Sequence, residues 1–362
     1  MKKVGFIGLG KIAQLKHLKY VCQHAEMRID AICDRCPSLL EQIRVDLSID
    51  NPFATTSAAD LLTRNLDLVF VLNHNHFPIV EAFIDARIPV FCEKPLAWSL
   101  PDAERLLNLS MARNTWLAVG YTKRHDPLVM LLKDIVLEYG PPLYVNCVNL
   151  AGGVKQWTDN LYSIRRPDDD EKIEEKQRLD VEMELSSIGL LEEAKKILLN
   201  LASHTLDIFS FIDSANEVRI AHCSFVHHHI TNSSAITVIA KKLNCIINIT
   251  CIPLFSSPWL WDERIDFVYA DKKLTVQFDN PFLSEPGSHA TIIHRTSRGT
   301  VSEEFSFGRI DPFKCQIEWI NSQLTKNPVD FESAKISLAT QRAIDECIKL
   351  LNHDNHTIDN DE

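Results

Sequence analysis

From the N-terminus to about residue 120, short apolar runs alternate with stretches of helical spacing. Residues 4–7 and 28–33 read as strands, and 66–72 is a continuous apolar run, as a parallel sheet covered on both faces requires. Helical spacing follows over 77–87, a strand over 88–92, a helix over 101–114 and a strand over 115–120. Ser99 is placed to cap the last helix, with Pro101 in its first turn. The alternation predicts an α/β N-terminal domain with a doubly wound parallel sheet, its ligand at the carboxyl ends of the strands.

Beyond Tyr121 the texture changes. Residues 127–139 have helical spacing, and 218–229, 235–252, 264–269, 274–278 and 290–296 are β-rich with turns between them. These predict an antiparallel sheet and an α+β second domain. Residues 312–325 and 331–351 read as closing helices. The expected division is 1–121, 122–330 with an acidic helical insertion near 165–197, a closing helix over 331–352, and a frayed tail over 353–362.

The first turn carries the clearest chemistry. Gly8-Leu9-Gly10-Lys11-Ile12-Ala13 is Gly-x-Gly-x-x-Ala, a variant of the dinucleotide fingerprint, directly after a strand. Glycines let backbone N–H groups approach a pyrophosphate, and the helix N-terminus adds partial positive charge. The next strand ends at Asp34, 24 positions after Gly10, near the distance at which a carboxylate reaches the adenosine ribose hydroxyls. Asp34 would repel a 2′-phosphate and favours NAD; Arg35 beside it could accept that phosphate and keeps NADP open.

Bulk composition narrows the function classes. The chain has 362 residues, 45% hydrophobic and 24% charged, with formal net charge −11. That balance disfavours a nucleic-acid or anionic-membrane surface. Eleven acids against three bases lie between Asp168 and Glu193, so most of the acidity sits in one segment. A solvated surface helix is the plain account of it; a pocket cover or a subunit contact is the alternative. No apolar run approaches the roughly 20 residues of a membrane helix. Ten scattered cysteines suit a reducing cytoplasm, and Cys33-Asp34-Arg35-Cys36 has no second pair to complete a zinc site. His227-His228-His229 alternates faces in a strand, so no metal is expected there.

Phe91-Cys92-Glu93-Lys94-Pro95-Leu96 places a lysine where a parallel strand ends, on the edge that holds the glycine turn. Such a lysine either donates to a substrate hydroxyl at a nicotinamide site or pairs with Glu93 in solvent.

With the glycine turn, Asn73-His74-Asn75-His76, Glu93-Lys94-Pro95-Leu96, residues 120–127 and the 270–276 hairpin in this order, the chain resembles the glucose–fructose oxidoreductase/inositol dehydrogenase (Gfo/Idh/MocA) family. The resemblance implies a Rossmann domain followed by a large open antiparallel sheet, and NAD(P)-linked oxidation or reduction of a sugar, cyclitol or related polyol. It makes Lys94 the catalytic lysine, with Lys94–Pro95 a candidate cis peptide. It makes Gly8, Gly10, Lys11, Ile12, Ala13, Asp34, Arg35, Asn73, His76, Glu93 and Lys94 the cofactor site. The family's D-x-x-x-H reads here Asn200-Leu201-Ala202-Ser203-His204, so His204 takes the acid/base place. By spacing alone His204 reads first as a buried structural histidine. Tyr121, Arg124 and Trp157 join Lys94 and His204 as candidates for holding substrate, against structural roles for each.

Two departures stand out. Asn200 replaces the family's aspartate and can carry neither charge nor a proton as a base. Residues 192–197, helical by pattern, replace the family's glycine-rich approach to the motif. The expected activity is therefore an NAD-preferring dehydrogenase or reductase. The rivals are a non-catalytic cofactor- or sugar-binding protein and an NAD-dependent glycosidase. A soluble cytoplasmic protein is expected, a homodimer or homotetramer whose only other partner is a small sugar-like molecule.

Overall fold

The first strand, β1 (Lys2–Ile7), is buried from Val4 onward because its apolar run is covered on both faces. Residues 1–46, 51–152, 162–166, 190–212, 218–228, 233–242, 245–254, 260–283 and 286–358 are described in the computed structural model. They divide into two compact units. The first holds Met1–Tyr121, 162–166 and Phe313–Leu338; the second holds the rest.

In the first unit β1 is followed by a π turn (Ala13–His17), α1 (Leu18–Gln23), β2 (Met27–Cys33), α2 (Pro37–Asp46), β3 (Phe53–Thr55) and α3 (Ala58–Leu61). Next come β4 (Leu68–Val71), α4 (Phe77–Asp85), β5 (Val90–Cys92), α5 (Leu100–Arg113) and β6 (Leu117–Val119). The six strands are all parallel in the order β3-β2-β1-β4-β5-β6, the doubly wound arrangement that the alternation predicts. Ser99 caps α5 by accepting the Asp102 N–H at 3.3 Å, and its hydroxyl donates to the Asp102 carboxylate at 2.7 Å.

The second unit opens with a 3-10 turn (Thr122–His125), α6 (Pro127–Tyr139) and β7 (Tyr144–Gly152). After it come α7 (Leu190–Ile197), a π turn (Leu198–Ala202) and α8 (Ser203–Ile212). Then follow β8 (Arg219–His228), β9 (Ser233–Lys242), β10 (Cys245–Leu254), β11 (Trp261–Val268), β12 (Lys272–Phe278), β13 (Ser288–Thr296) and β14 (Gly299–Ser306). They form an eight-stranded sheet, β14-β13-β12-β11-β7-β10-β9-β8, antiparallel except for β7 beside β10. Its core face packs on α6 and α8, with Phe209 meeting Phe267 at a ring separation of 6.2 Å.

Three strands, β3, β7 and β14, are absent from the apolar pattern, and the single run at 235–252 resolves into β9 and β10. Two helices close the chain, α9 (Pro312–Gln323) and α10 (Glu332–Ile358). α9 packs with the first unit: Phe313, Ile317 and Ile320 join its core, and the Lys2 ammonium donates to Asn321 at 2.6 Å. α10 runs to Ile358, so the helix continues through most of the tail expected to fray. Of the acidic segment, 167–189 lies outside the described residues, and Leu190–Ile197 is helical.

Candidate active site

Strands β1, β4 and β5 pair in register, Ile7 beside Val71 and Val71 beside Cys92. Their ends therefore release Gly8, Asn73 and Glu93-Lys94 along one edge of the sheet. Gly8 has φ +87°, and a Cβ there would stand 2.8 Å from the Asn73 nitrogen, so a side chain is excluded twice over. At Gly10 the residue is exposed and the Cβ direction is open, the clearance that a pyrophosphate needs. Ala13 is buried on the following helix, with Lys11 and Ile12 half-buried before it.

Asp34 leaves β2 half-buried. Its Oδ2 accepts the Leu9 N–H at 2.9 Å and its Oδ1 the Cys36 N–H at 3.0 Å. The carboxylate thus braces the glycine turn, and each oxygen retains a lone pair for a ribose hydroxyl. Arg35 is exposed beside it. The open glycine and the half-exposed acid together fit a dinucleotide without a 2′-phosphate.

Lys94 is half-buried, joined to Pro95 by a cis peptide. Burial strips water from its ammonium and draws its pKa below the ordinary lysine value, against the pull of the Glu93 charge. His76 is buried, and its Nε2 donates to the Leu96 carbonyl at 3.1 Å, bracing the turn after Lys94. His74 is exposed and its ring lies 4.6 Å from that of Trp98. Asn73 donates to the Asn75 carbonyl at 2.8 Å.

Three residues at this edge escape the sequence motifs. His17, fully buried at the end of the first π turn, contacts Glu93 through Nε2 at 2.9 Å. Gln14 and Arg165 exchange hydrogen bonds of 3.0 and 2.9 Å, and Arg165 also reaches Asp46 at the end of α2. A histidine and a glutamine one turn past a glycine fingerprint are the only signal that sequence offers for either contact.

In the second unit Arg124 is buried and tied by two bonds to Asp207, whose carboxylate also accepts from Thr340 at 3.0 Å. A guanidinium so engaged is an anchor of the 3-10 turn to α8 and α10. Burial and the neighbouring guanidinium push His125 down to about 3, which leaves it neutral at physiological pH. Lys123 pairs with buried Glu263, and Asn149 lies beside them. Asn200 is exposed within the second π turn and His204 half-buried on α8. Tyr121 is buried at the end of the first unit. Trp157 lies outside the described residues, as do His229 and the side chains of His227 and His228. Among the described residues no three His, Cys, Asp or Glu side chains gather as a metal site.

Residues 2–121 match the oxidoreductase family GFO_IDH_MocA, described as an NAD-binding Rossmann fold. This segment belongs to the Gfo/Idh/MocA family. Inositol 2-dehydrogenase of Paracoccus denitrificans is 33% identical over 155 residues, 41% of this chain and 45% of that protein. Inositol 2-dehydrogenase/D-chiro-inositol 3-dehydrogenase of Shouchella clausii is 28% identical over 152 residues, 41% and 44% of the two chains. The chain spans less than half the length of these curated relatives. Over nearly its whole length it shares the fold of a Chromobacterium violaceum dehydrogenase, with TM-score 0.74, 18% identity, and 99% and 97% of the two chains covered.

The two glycines should separate on substitution. Gly8→Ala forces a left-handed backbone and a clash, and should lower unfolding free energy by about 1–3 kcal/mol or more. Gly10→Ala should leave the melting temperature near wild type and weaken NAD binding, read by calorimetry and fluorescence. In the second unit, Asp207→Ala leaves the Arg124 guanidinium buried without its carboxylate. It should cost about 3–5 kcal/mol in urea unfolding.

Proposed function

We propose that the chain is an NAD(P)-dependent, NAD-preferring dehydrogenase or reductase acting on a secondary hydroxyl or ketone of a sugar, cyclitol or related polyol. The observation that carries this reading is the desolvated Lys94 on the same strand edge as the open Gly10 turn and the Asp34 carboxylate. Gly8 to Ala13 and Asp34 would hold the dinucleotide, which supplies the hydride acceptor or donor when bound. Inositol dehydrogenases among the relatives, and a UDP-N-acetylglucosamine 3-dehydrogenase of Acidithiobacillus ferrooxidans among the structures of the same fold, support a polyol substrate.

In this reading the neutral Lys94 amine takes the proton of the substrate hydroxyl during oxidation and, as the ammonium, returns it during reduction, a role suited to a depressed pKa. His204 is the second proton-transferring group, and Asn200 would orient one of the two through its amide. Asn200 also motivates the second reading, a cofactor-binding protein without turnover, because an amide cannot serve as a base.

NADH formation by purified protein against a panel of sugars, inositols and sugar acids tests the proposal. Turnover should appear in wild type and fall by about 10²–10⁴-fold in Lys94→Met, with NAD affinity little changed. Silence in wild type together with turnover in Asn200→Asp would establish the binding-protein reading. NAD binding with silence in both would overturn the dehydrogenase assignment.

A linked stability effect has a definite sign. The folded pKa of Lys94 lies below the unfolded one, so the buried ammonium costs stability below the folded pKa. That cost disappears as pH rises past the unfolded value. Lys94→Met should therefore raise the melting temperature at neutral pH, with a gain that shrinks in alkaline buffer.

A further inference from the structure

We infer that His17 is a positioning residue for Lys94: through a buried hydrogen bond it holds the Glu93 carboxylate beside the lysine. The inference rests on the proposed role of Lys94 and adds to it a residue that neither the glycine fingerprint nor the Glu-Lys-Pro motif contains.

Three independent features converge on that carboxylate. The first is the histidine itself. His17 is 0% exposed, with its ring 5.7, 5.3 and 5.4 Å from those of Phe70, Phe91 and Phe313. An imidazole in such a place is costly to desolvate, and its Nδ1 finds no partner among the described residues. Among the described residues its ring's polar contact is Glu93 Oε1 at 2.9 Å. A carboxylate accepts, so Nε2 carries the hydrogen.

The backbone that delivers the ring is the second feature. The Leu18 N–H bonds back to the Ala13 carbonyl, five residues away, and this wide turn leaves Ala13, Lys16 and His17 all buried. Such turns are rare insertions in helices and are frequent at functional sites. The third is Gly120, at the end of β6. A Cβ there would stand 3.1 Å from Glu93 Oε1, so the glycine keeps room for the carboxylate.

Glu93 is thereby held at both oxygens. Oε1 meets His17, and Oε2 accepts the backbone N–H of Lys94 at 3.2 Å. The carboxylate both steadies the lysine's backbone and supplies the negative charge that favours its ammonium form. Around the His17 ring, β4, β5 and α9 contribute phenyl groups, Glu93 contributes a carboxylate, and the neighbouring Lys16 ammonium lies 5.4 Å from the Phe313 centroid. Without the histidine's hydrogen the half-buried carboxylate swings away, and Lys94 loses that support.

The test compares wild type, His17→Phe, His17→Gln, Glu93→Gln and the His17→Phe/Glu93→Gln double variant. His17→Phe keeps aromatic packing without the hydrogen bond, and His17→Gln restores an N–H donor. The first readout needs no turnover: the pH dependence of Lys94 acylation by an amine-reactive ester, followed by peptide mass spectrometry. The midpoint should fall by about half a pH unit or more in both His17→Phe and Glu93→Gln. It should fall no further in the double variant, the non-additivity of a shared pathway. His17→Gln should stay near wild type.

The second readout is steady-state kinetics. kcat should drop about 10-fold in His17→Phe, with KM for NAD changed less than about 2-fold, and recover in His17→Gln. A wild-type midpoint and kcat in His17→Phe, with only its melting temperature lowered, would overturn the inference; so would additive effects in the double variant. If His17→Phe does not fold, Glu93→Gln against His17→Gln decides, and an unshifted midpoint in Glu93→Gln overturns it. Absence of turnover in wild type would defeat the dehydrogenase reading alone, because the acylation midpoints would still report the coupling.

Discussion

The close approach of the β1 turn to the end of β4 is the constraint on which the rest of the first unit depends. Gly8 turns the chain at φ +87° with its Cβ direction blocked by the Asn73 backbone. Only that turn lets the following helix start at the sheet edge with Gly10 open. The in-register pairing of β1, β4 and β5 then brings the Asn73 loop and Glu93-Lys94 to the same edge. A candidate dinucleotide site and a candidate catalytic lysine thus follow from one backbone contact and two strand registers. Asp34 closes the arrangement by bonding back to Leu9.

Each unit also buries polar groups, at a cost in desolvation that local apolar packing would avoid. In the first unit they include His17, whose Nδ1 has no partner among the described residues and whose Nε2 meets Glu93 beside half-buried Lys94. In the second they include Arg124 and Thr340, both bonded to the Asp207 carboxylate. The contrast is informative. A satisfied network such as the second fixes an architecture, here the 3-10 turn against α8 and α10. An incompletely satisfied one that ends beside the candidate catalytic lysine is the kind of compromise expected where function competes with stability.

Strands and helices with a strong apolar period were legible. β4, β5, α5 and α6 follow their patterns, and the α/β alternation is enough for the doubly wound sheet. β7 was not, because Asn149 and Ala151 face inward with Val145 and Cys147, whereas Val148 and Leu150 face the other side, which blurs the alternation. β14 has almost no buried residue and exists as an edge strand through its ladder to β13. The two π turns were hidden for a different reason: one added residue in a helix leaves composition unchanged and shifts only which side chains point inward. At 13–17 that shift buries His17; at 198–202 it lies across the segment that carries Asn200.

The chain's local chemistry by itself determined the glycine turn, the acid 24 positions later and the lysine at a strand end. These depend on backbone φ, residue size and charge within a few positions. What only the tertiary structure decided were the partners of residues far apart in sequence. Arg124 meets Asp207, His76 meets the Leu96 carbonyl, α9 packs with the first unit, and His17 meets Glu93. Such contacts arise from strand order and helix register, and no local pattern encodes them.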